Sequence, residues 1–160
     1  MRETTGDLWQ LADYYRADMV CVTTNLRRAG SGRAAMSAGV AKHVRDNIRL
    51  VTTKEYQTPL PDARYGEMLR KHVFNTTVIG RVIGATYKLV AFPTKIDWRN
   101  PSDLDLIVRS AHHLSDLAYP GDICLLPRPG CGLGGLSWED EVRPRIRHLM
   151  HDGIIVVGRE

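Results

Sequence analysis

Four glycines stand within six residues in the segment Pro127-Arg128-Pro129-Gly130-Cys131-Gly132-Leu133-Gly134-Gly135-Leu136. Glycine loses more backbone freedom on folding than any other residue, so a loop this rich in it points to unusual dihedrals or to a ligand lying against the backbone. The segment follows the apolar run Ile123 to Leu126 and precedes a helical pattern. A second glycine-bearing loop, Met36-Ser37-Ala38-Gly39-Val40-Ala41, also leads into a helical pattern. A loop between strand and helix can hold phosphate with its N–H groups and the helix N-terminus; the plainer alternative is a turn. Neither loop has the G-x-x-x-x-G-K-[ST] spacing, and no G-x-G-x-x-G opens a helix with a following acidic residue, which disfavours kinase, GTPase and Rossmann dehydrogenase chemistry.

The other reactive residue types are sparse. Cys21 and Cys124 sit inside apolar runs and read as small core residues, whereas Cys131 lies between glycines. A nucleophilic Cys131 would need a histidine base or a helix N-terminus beside it, and only the second is readable from sequence. No C-x-x-C pair suggests a zinc ribbon, and no metal or cofactor is expected. His112 and His113 are adjacent on a helical pattern and point in different directions, so they read as ordinary helix residues. Arg27, Arg28 and Arg33 cluster in one segment, with Lys42, Arg45 and Arg49 after them, either as a solvated basic face or as a landing surface for nucleic-acid phosphates.

These residues need a scaffold. Apolar runs at Met19 to Thr23, Thr77 to Ile83, Lys88 to Phe92, Ile123 to Leu126 and Ile154 to Val157 read as buried strands. Helical patterns cover Ser37 to Asn47, Pro61 to His72, Asp103 to Leu117 and Trp138 to Met150. The third begins with a capping-box pattern at Ser102 and Asp105; the fourth has Ser137 as its cap and an awkward Pro144 inside, with a later start near Val142 or a kink as the alternatives. Strands alternating with helices argue for an α/β fold with a largely parallel sheet. The 160 residues, 43% hydrophobic and 25% charged, suit a single domain over 1–160. A net charge of +4 suits a polyanionic partner. With no stretch apolar enough to span a bilayer and no signal-peptide pattern, no membrane association and a cytoplasmic location are expected.

Taken in chain order, several segments together resemble a macrodomain. They are Gly6-Asp7-Leu8, the strand Val20-Cys21-Val22-Thr23-Thr24 ending in Asn25, the Met36 to Ala41 loop, Pro93-Thr94-Lys95, and the Pro129-Gly130-Cys131-Gly132 loop ending in Leu136-Ser137-Trp138-Glu139. The resemblance runs from Gly6 to Val157 and implies a three-layer α/β/α fold with a mixed, largely parallel central sheet, binding ADP-ribose at the strand ends. Phe92-Pro93-Thr94-Lys95, followed by Trp98 and Ser102, is similar to the DarG-like branch of DNA ADP-ribosylglycohydrolase antitoxins and their phage and bacterial relatives. The similarity to the terminal ADP-ribose protein glycohydrolases is more distant.

The resemblance implies roles for particular residues. Lys95 matches a lysine implicated in catalysis, whose amine can attack the anomeric carbon or stabilise the departing group; a phosphate-pairing or structural lysine is the alternative. Asp7 matches the acid that accepts from the adenine amino group, beside Leu8, with a helix N-cap as its alternative. Asn25 matches the asparagine at the distal ribose, near the reacting carbon, with a turn asparagine as its alternative. Met36, Ser37, Ala38, Gly39 and Val40 would line one side of the pyrophosphate. Pro129, Gly130, Cys131, Gly132, Leu133, Gly134, Gly135 and Leu136 would line the other.

Two positions depart from the family pattern. Ser37 stands where glycine is usual. Gly134 stands where the protein glycohydrolases have an acid, which turns the expectation toward the DNA-directed branch. The implied function is removal of ADP-ribose from a nucleic-acid base, so the implied partners are ADP-ribose and ADP-ribosylated DNA. A non-catalytic ADP-ribose reader, and a hydrolase of ADP-ribose 1''-phosphate or another small NAD-derived metabolite, stand as alternatives.

Overall fold

The computed structural model describes residues 1–26, 39–51, 56–59 and 76–159. In chain order the elements are β1 (Arg2–Thr5), α1 (Leu8–Tyr15), β2 (Met19–Asn25), α2 (Gly39–Asn47), β3 (Arg49–Val51), β4 (Tyr56–Pro59), β5 (Thr77–Val82) and β6 (Lys88–Lys95). There follow α3 (Leu104–Leu117), β7 (Cys124–Pro127), a π-helical turn (Trp138–Val142) running into the short α4 (Arg143–Ile146), and β8 (Ile154–Gly158). The strands form one sheet in the order β1-β8-β7-β2-β6-β5-β3-β4. The pairings from β1 through β6 are parallel, and β5, β3 and β4 extend the sheet by antiparallel pairing.

All five apolar runs are strands, and the reason is burial on both faces. Val20, Val22, Leu89, Ala91, Leu125, Ile155 and Val157 pack on one side with Leu8 and Ala12 of α1 and Ala41 and Val44 of α2. Met19, Cys21, Val90, Phe92, Cys124, Leu126, Ile154 and Val156 pack on the other with Ile107, Ala111 and Leu114 of α3 and Trp138, Val142 and Ile146. Successive strand residues point to opposite faces, so one continuous apolar run feeds two cores. The result is three layers, α/β/α, as expected.

Several local expectations are corrected. The cap of α3 is Asp103, whose Oδ1 accepts from the Leu106 N–H at 2.9 Å; Ser102 lies one residue earlier and is buried. The expected Trp138 to Met150 helix is shorter and begins as a π turn capped by Ser137, with the α-helical part starting at Arg143, one residue past the later start that Pro144 suggested. The Val142 N–H bonds to Ser137 O at 3.1 Å and the Arg143 N–H to Trp138 O. Pro144, which has no N–H to offer, then falls in the first turn of α4, where a donor is not needed. The second helix is described from Gly39, and the expected Pro61 to His72 helix lies outside the described residues.

Candidate functional site

Five parallel strands bring five C-terminal ends to one edge of the sheet: Thr5, Gly158, Pro127, Asn25 and Lys95. Open α/β sheets take ligands at this edge because the strand-to-helix loops leave from it. β2 and β6 run past their apolar runs to reach it. Their register pairs Thr23 with Phe92 and Thr24 with Pro93, then shifts so that Asn25 pairs with Lys95. Pro93 lies beyond the last β5 partner, Thr77 opposite Ala91, where its missing N–H removes no antiparallel ladder bond.

The strand end carrying Lys95 is held from every side. Ser110 Oγ of α3 donates to Pro93 O at 2.7 Å, the Asp103 N–H donates to Thr94 O at 2.8 Å, and the Leu26 N–H donates to Lys95 O at 2.8 Å. Thr94 Oγ1 donates to Thr24 O at 3.2 Å. Asn25 is buried, at 7% exposure, and Lys95 is half-buried. These bonds fix the backbone from which a partly open lysine and a buried amide project side by side.

The glycine-rich loop leaves the same edge after β7. Gly130 has φ +77°, and a Cβ there would come within 2.7 Å of Ile107 Cδ1. A Cβ on Gly134 would run into Ser102 Oγ and stand 2.5 Å from Gly130 O. Packing therefore demands these two glycines. The loop is closed by bonds from Leu136 N–H to Gly130 O (2.9 Å) and Gly135 N–H to Gly132 O (3.2 Å), and is fastened to the start of α3 by Ser102 N–H to Gly134 O (3.0 Å). Among the described residues, no acceptor takes the N–H groups of Cys131, Gly132, Leu133 and Gly134. Successive unspent amides in a tight loop can serve a phosphate group. Around Gly132 and Gly135 a Cβ would meet nothing within 4 Å, so a ligand can reach the backbone.

On the other side of β7 lies a cleft of about 370 Å³, lined by residues that include Asp7, Leu8, Trp9, Gly39, Val40, His43 and Arg159. Asp7, Leu8, Gly39 and Val40 thus meet there. Asp7 also caps α1, its Oδ1 accepting from the N–H groups of Trp9 (3.1 Å) and Gln10 (2.9 Å), which leaves Oδ2 toward other donors. Asn25, Lys95 and the stretch from Pro129 to Leu136 share the sheet edge with the cleft but not its walls. Met36, Ser37, Ala38, Arg27, Arg28 and Arg33 lie outside the described residues. A more open depression shares Gly6, Asp7 and Arg159 and takes its other walls from Thr5 and α1.

Burial pushes the Cys131 thiol up to about 11, with Arg128 opposing and Glu141 reinforcing the shift. The thiol is therefore neutral near pH 7, which removes Cys131 as a nucleophile. Cys21 and Cys124 are fully buried with their sulfurs 3.6 Å apart, as core residues. Among the described residues, no group of His, Cys, Asp or Glu is placed to hold a metal, and no helix is long and apolar enough to cross a membrane.

No family model and no curated protein matches the sequence. Solved structures do match. The macrodomain of Thermus aquaticus DarG superposes with a TM-score of 0.68 at 24% identity, covering 99% of this chain and 97% of that one. The macrodomain of Mycobacterium tuberculosis DarG gives 0.64 at 22%, covering 99% and 95%. The chain has the macrodomain fold. Thermosipho africanus DarTG in complex with ADP-ribose is also similar, with a TM-score of 0.67 at 17% identity; the alignment takes in 99% of this chain and 42% of that longer one.

Sequence reasoning missed some of the residues that this macrodomain fold gathers. Trp9 of α1 and His43 of α2 stack with centroids 4.8 Å apart at 19°, joining the two helices at the cleft. Neither position carried a signal, because the residues are separated in sequence and a helix after Asp7 was only one of two readings of that residue. Arg128 stands 5.4 Å from the Trp138 ring and packs against Gly158, where a Cβ would come within 2.7 Å of its guanidinium carbon.

Proposed function

We propose that this macrodomain binds ADP-ribose at the C-terminal edge of its sheet and is an ADP-ribosyl hydrolase that frees ADP-ribose from a nucleic-acid base, with a DNA thymidine-type linkage as substrate. The observation that carries the reading is the register that sets Lys95 beside Asn25 at the edge shared with the cleft and the glycine-rich loop. The adenine amino group donates to Asp7. The pyrophosphate lies between Gly39 with Val40 and the unspent amides of Cys131 to Gly134. The distal ribose reaches Asn25, with its C1 carbon toward Lys95.

In this reaction the bond from ribose C1 to the base nitrogen breaks, water delivers hydroxyl to C1, and the base nitrogen takes up the proton that the water gives up. The Lys95 amine has two ways to lower the barrier: attack on C1 as a nucleophile, or donation to the departing base. The choice of a base rather than a protein ester is supported at Gly134, where no side chain fits, so the acid of the protein glycohydrolases has no counterpart.

The test is release of ADP-ribose from thymidine-ADP-ribosylated single-stranded DNA by wild type and Lys95→Ala, with calorimetry of free ADP-ribose binding to both. Release that vanishes in a variant still able to bind supports the reading. Wild type that binds but releases nothing leaves a reader; wild type that does not bind sinks the proposal entirely.

A further inference from the structure

We infer that the turn beyond Lys95 is a stacking platform for a base of single-stranded nucleic acid, with Trp98 as its central face. The inference rests on the nucleic-acid reading above and adds a second contact to it. Ile96 and Trp98 are 52% and 51% exposed, large apolar side chains turned to solvent within three residues of Lys95. An exposed tryptophan on an unbraced turn would mean little, but this turn is braced by its own hydrogen bonds. The Arg99 N–H donates to Asp97 Oδ1 at 3.0 Å, the Asn100 N–H donates to Asp97 O at 3.1 Å, and the Arg99 guanidinium grips both Asp97 oxygens at 3.1 and 2.8 Å.

That grip orients the arginine as well. With Nε and one terminal nitrogen bonded to Asp97, the Arg99 guanidinium lies over one face of the Trp98 ring, 5.8 Å from its centroid. The arginine backs that face, and a base stacks on the opposite one, as in strand-binding grooves that combine aromatic and arginine side chains. The end of β6 that leads into the turn is tied to the cap of α3 by the Asp103 N–H to Thr94 O, the preceding Ser102 holds the glycine-rich loop, and that loop carries Leu133, 79% exposed. The apolar groups thus sit on the two loops that leave the sheet edge at the proposed reacting carbon. Single strands fit better than duplex because stacking on Trp98 needs a base face that a duplex keeps covered. The net charge of +4 favours a polyanion over an acid-poor protein surface.

The experiment is fluorescence titration of wild type, Trp98→Ala and Trp98→Phe with unmodified oligothymidine, alongside calorimetry with free ADP-ribose. Trp98→Ala should weaken oligothymidine affinity about 5- to 150-fold, the range of one lost stack. Trp98→Phe should keep most of it, and ADP-ribose affinity should not change. Equal oligothymidine affinity in wild type and Trp98→Ala overturns the inference and assigns the patch to a protein partner or to none. A parallel loss of ADP-ribose binding also overturns it, since Trp98 would then be supporting the fold. Failure of the hydrolase reading shows separately, as absent ADP-ribose release by a wild type whose oligothymidine binding still depends on Trp98.

Discussion

Asn25 and Lys95 are register partners across β2 and β6, although the preceding pair is Thr24 with Pro93, so Thr94 is passed over. The extra residue turns the end of β6 by half a pleat, which a regular ladder would not do. It sets a half-buried lysine beside a buried asparagine, with Ser110, Asp103 and Leu26 holding the backbone in place.

Lys95→Arg keeps the positive charge and removes a usable nucleophile. Release of ADP-ribose from modified single-stranded DNA should fall by about a hundred-fold or more, while calorimetric affinity for ADP-ribose stays within about three-fold of wild type. Near-wild-type turnover would instead assign Lys95 to stabilising the departing base.

Gly134→Ala should destabilise the fold by about 1 to 3 kcal/mol in urea unfolding, because the new Cβ meets Ser102 Oγ and Gly130 O. Adding Ser102→Ala removes one of these clashes and should recover only part of the loss. Full recovery would mean that the loop backbone yields easily. Gly134→Asp, which restores the acid of the protein glycohydrolases, should cost at least as much and confer no protein-ester hydrolysis.

Cys131 should be a poor nucleophile throughout the physiological range. Its thiol is raised from 9.0 to about 11 in the folded chain. Alkylation by iodoacetamide should therefore be slow at pH 8 and rise steeply only toward pH 11, and Cys131→Ala should retain turnover. The sign for stability follows: the folded state holds its proton longer than the unfolded chain, so this group's contribution is intact below pH 9 and fades as pH climbs toward 11. A fast-reacting thiol at pH 7 would contradict the burial at this site.

Glu3 joins the N-terminal strand to the last helical segment, accepting from Trp138 Nε1 at 2.9 Å and Arg143 Nε at 2.7 Å. Burial pushes its carboxyl up, but the bonds from Arg143 and Trp138 outweigh it and hold the carboxyl below 4.5. Its stabilisation is present above that value and is lost as pH falls through the lower folded one. Glu3→Gln should lower the melting temperature at pH 7, and the difference should shrink as the pH is taken down through the folded carboxyl's titration; a difference that stays constant down to full protonation would show that charge is not involved.

The sequence on its own determined the layered architecture, because Met19 to Val22, Leu89 to Phe92, Cys124 to Leu126 and Ile154 to Val157 are unbroken apolar runs, and such runs are stable only when covered on both faces. It also marked the glycine-rich loop, since four glycines in six are a local pattern, while Lys95 and Asn25 came into view only through the resemblance to macrodomains. β1, with Arg2 and Glu3 in its four residues, has no apolar pattern and is a strand only because Arg2 to Thr5 pair with Ile155 to Gly158. Asp7 could be read as cap or ligand from sequence, and its bonds to Trp9 and Gln10 establish the cap.

What tertiary structure alone decided are relations between residues far apart in the chain. The slip that brings Asn25 to Lys95, the contact of Gly134 with Ser102 and the stack of Trp9 on His43 each depend on how separate elements meet. Local patterning reports how one segment wants to be covered. Register and close contact depend on the partner that covers it, which a segment's own residues do not encode.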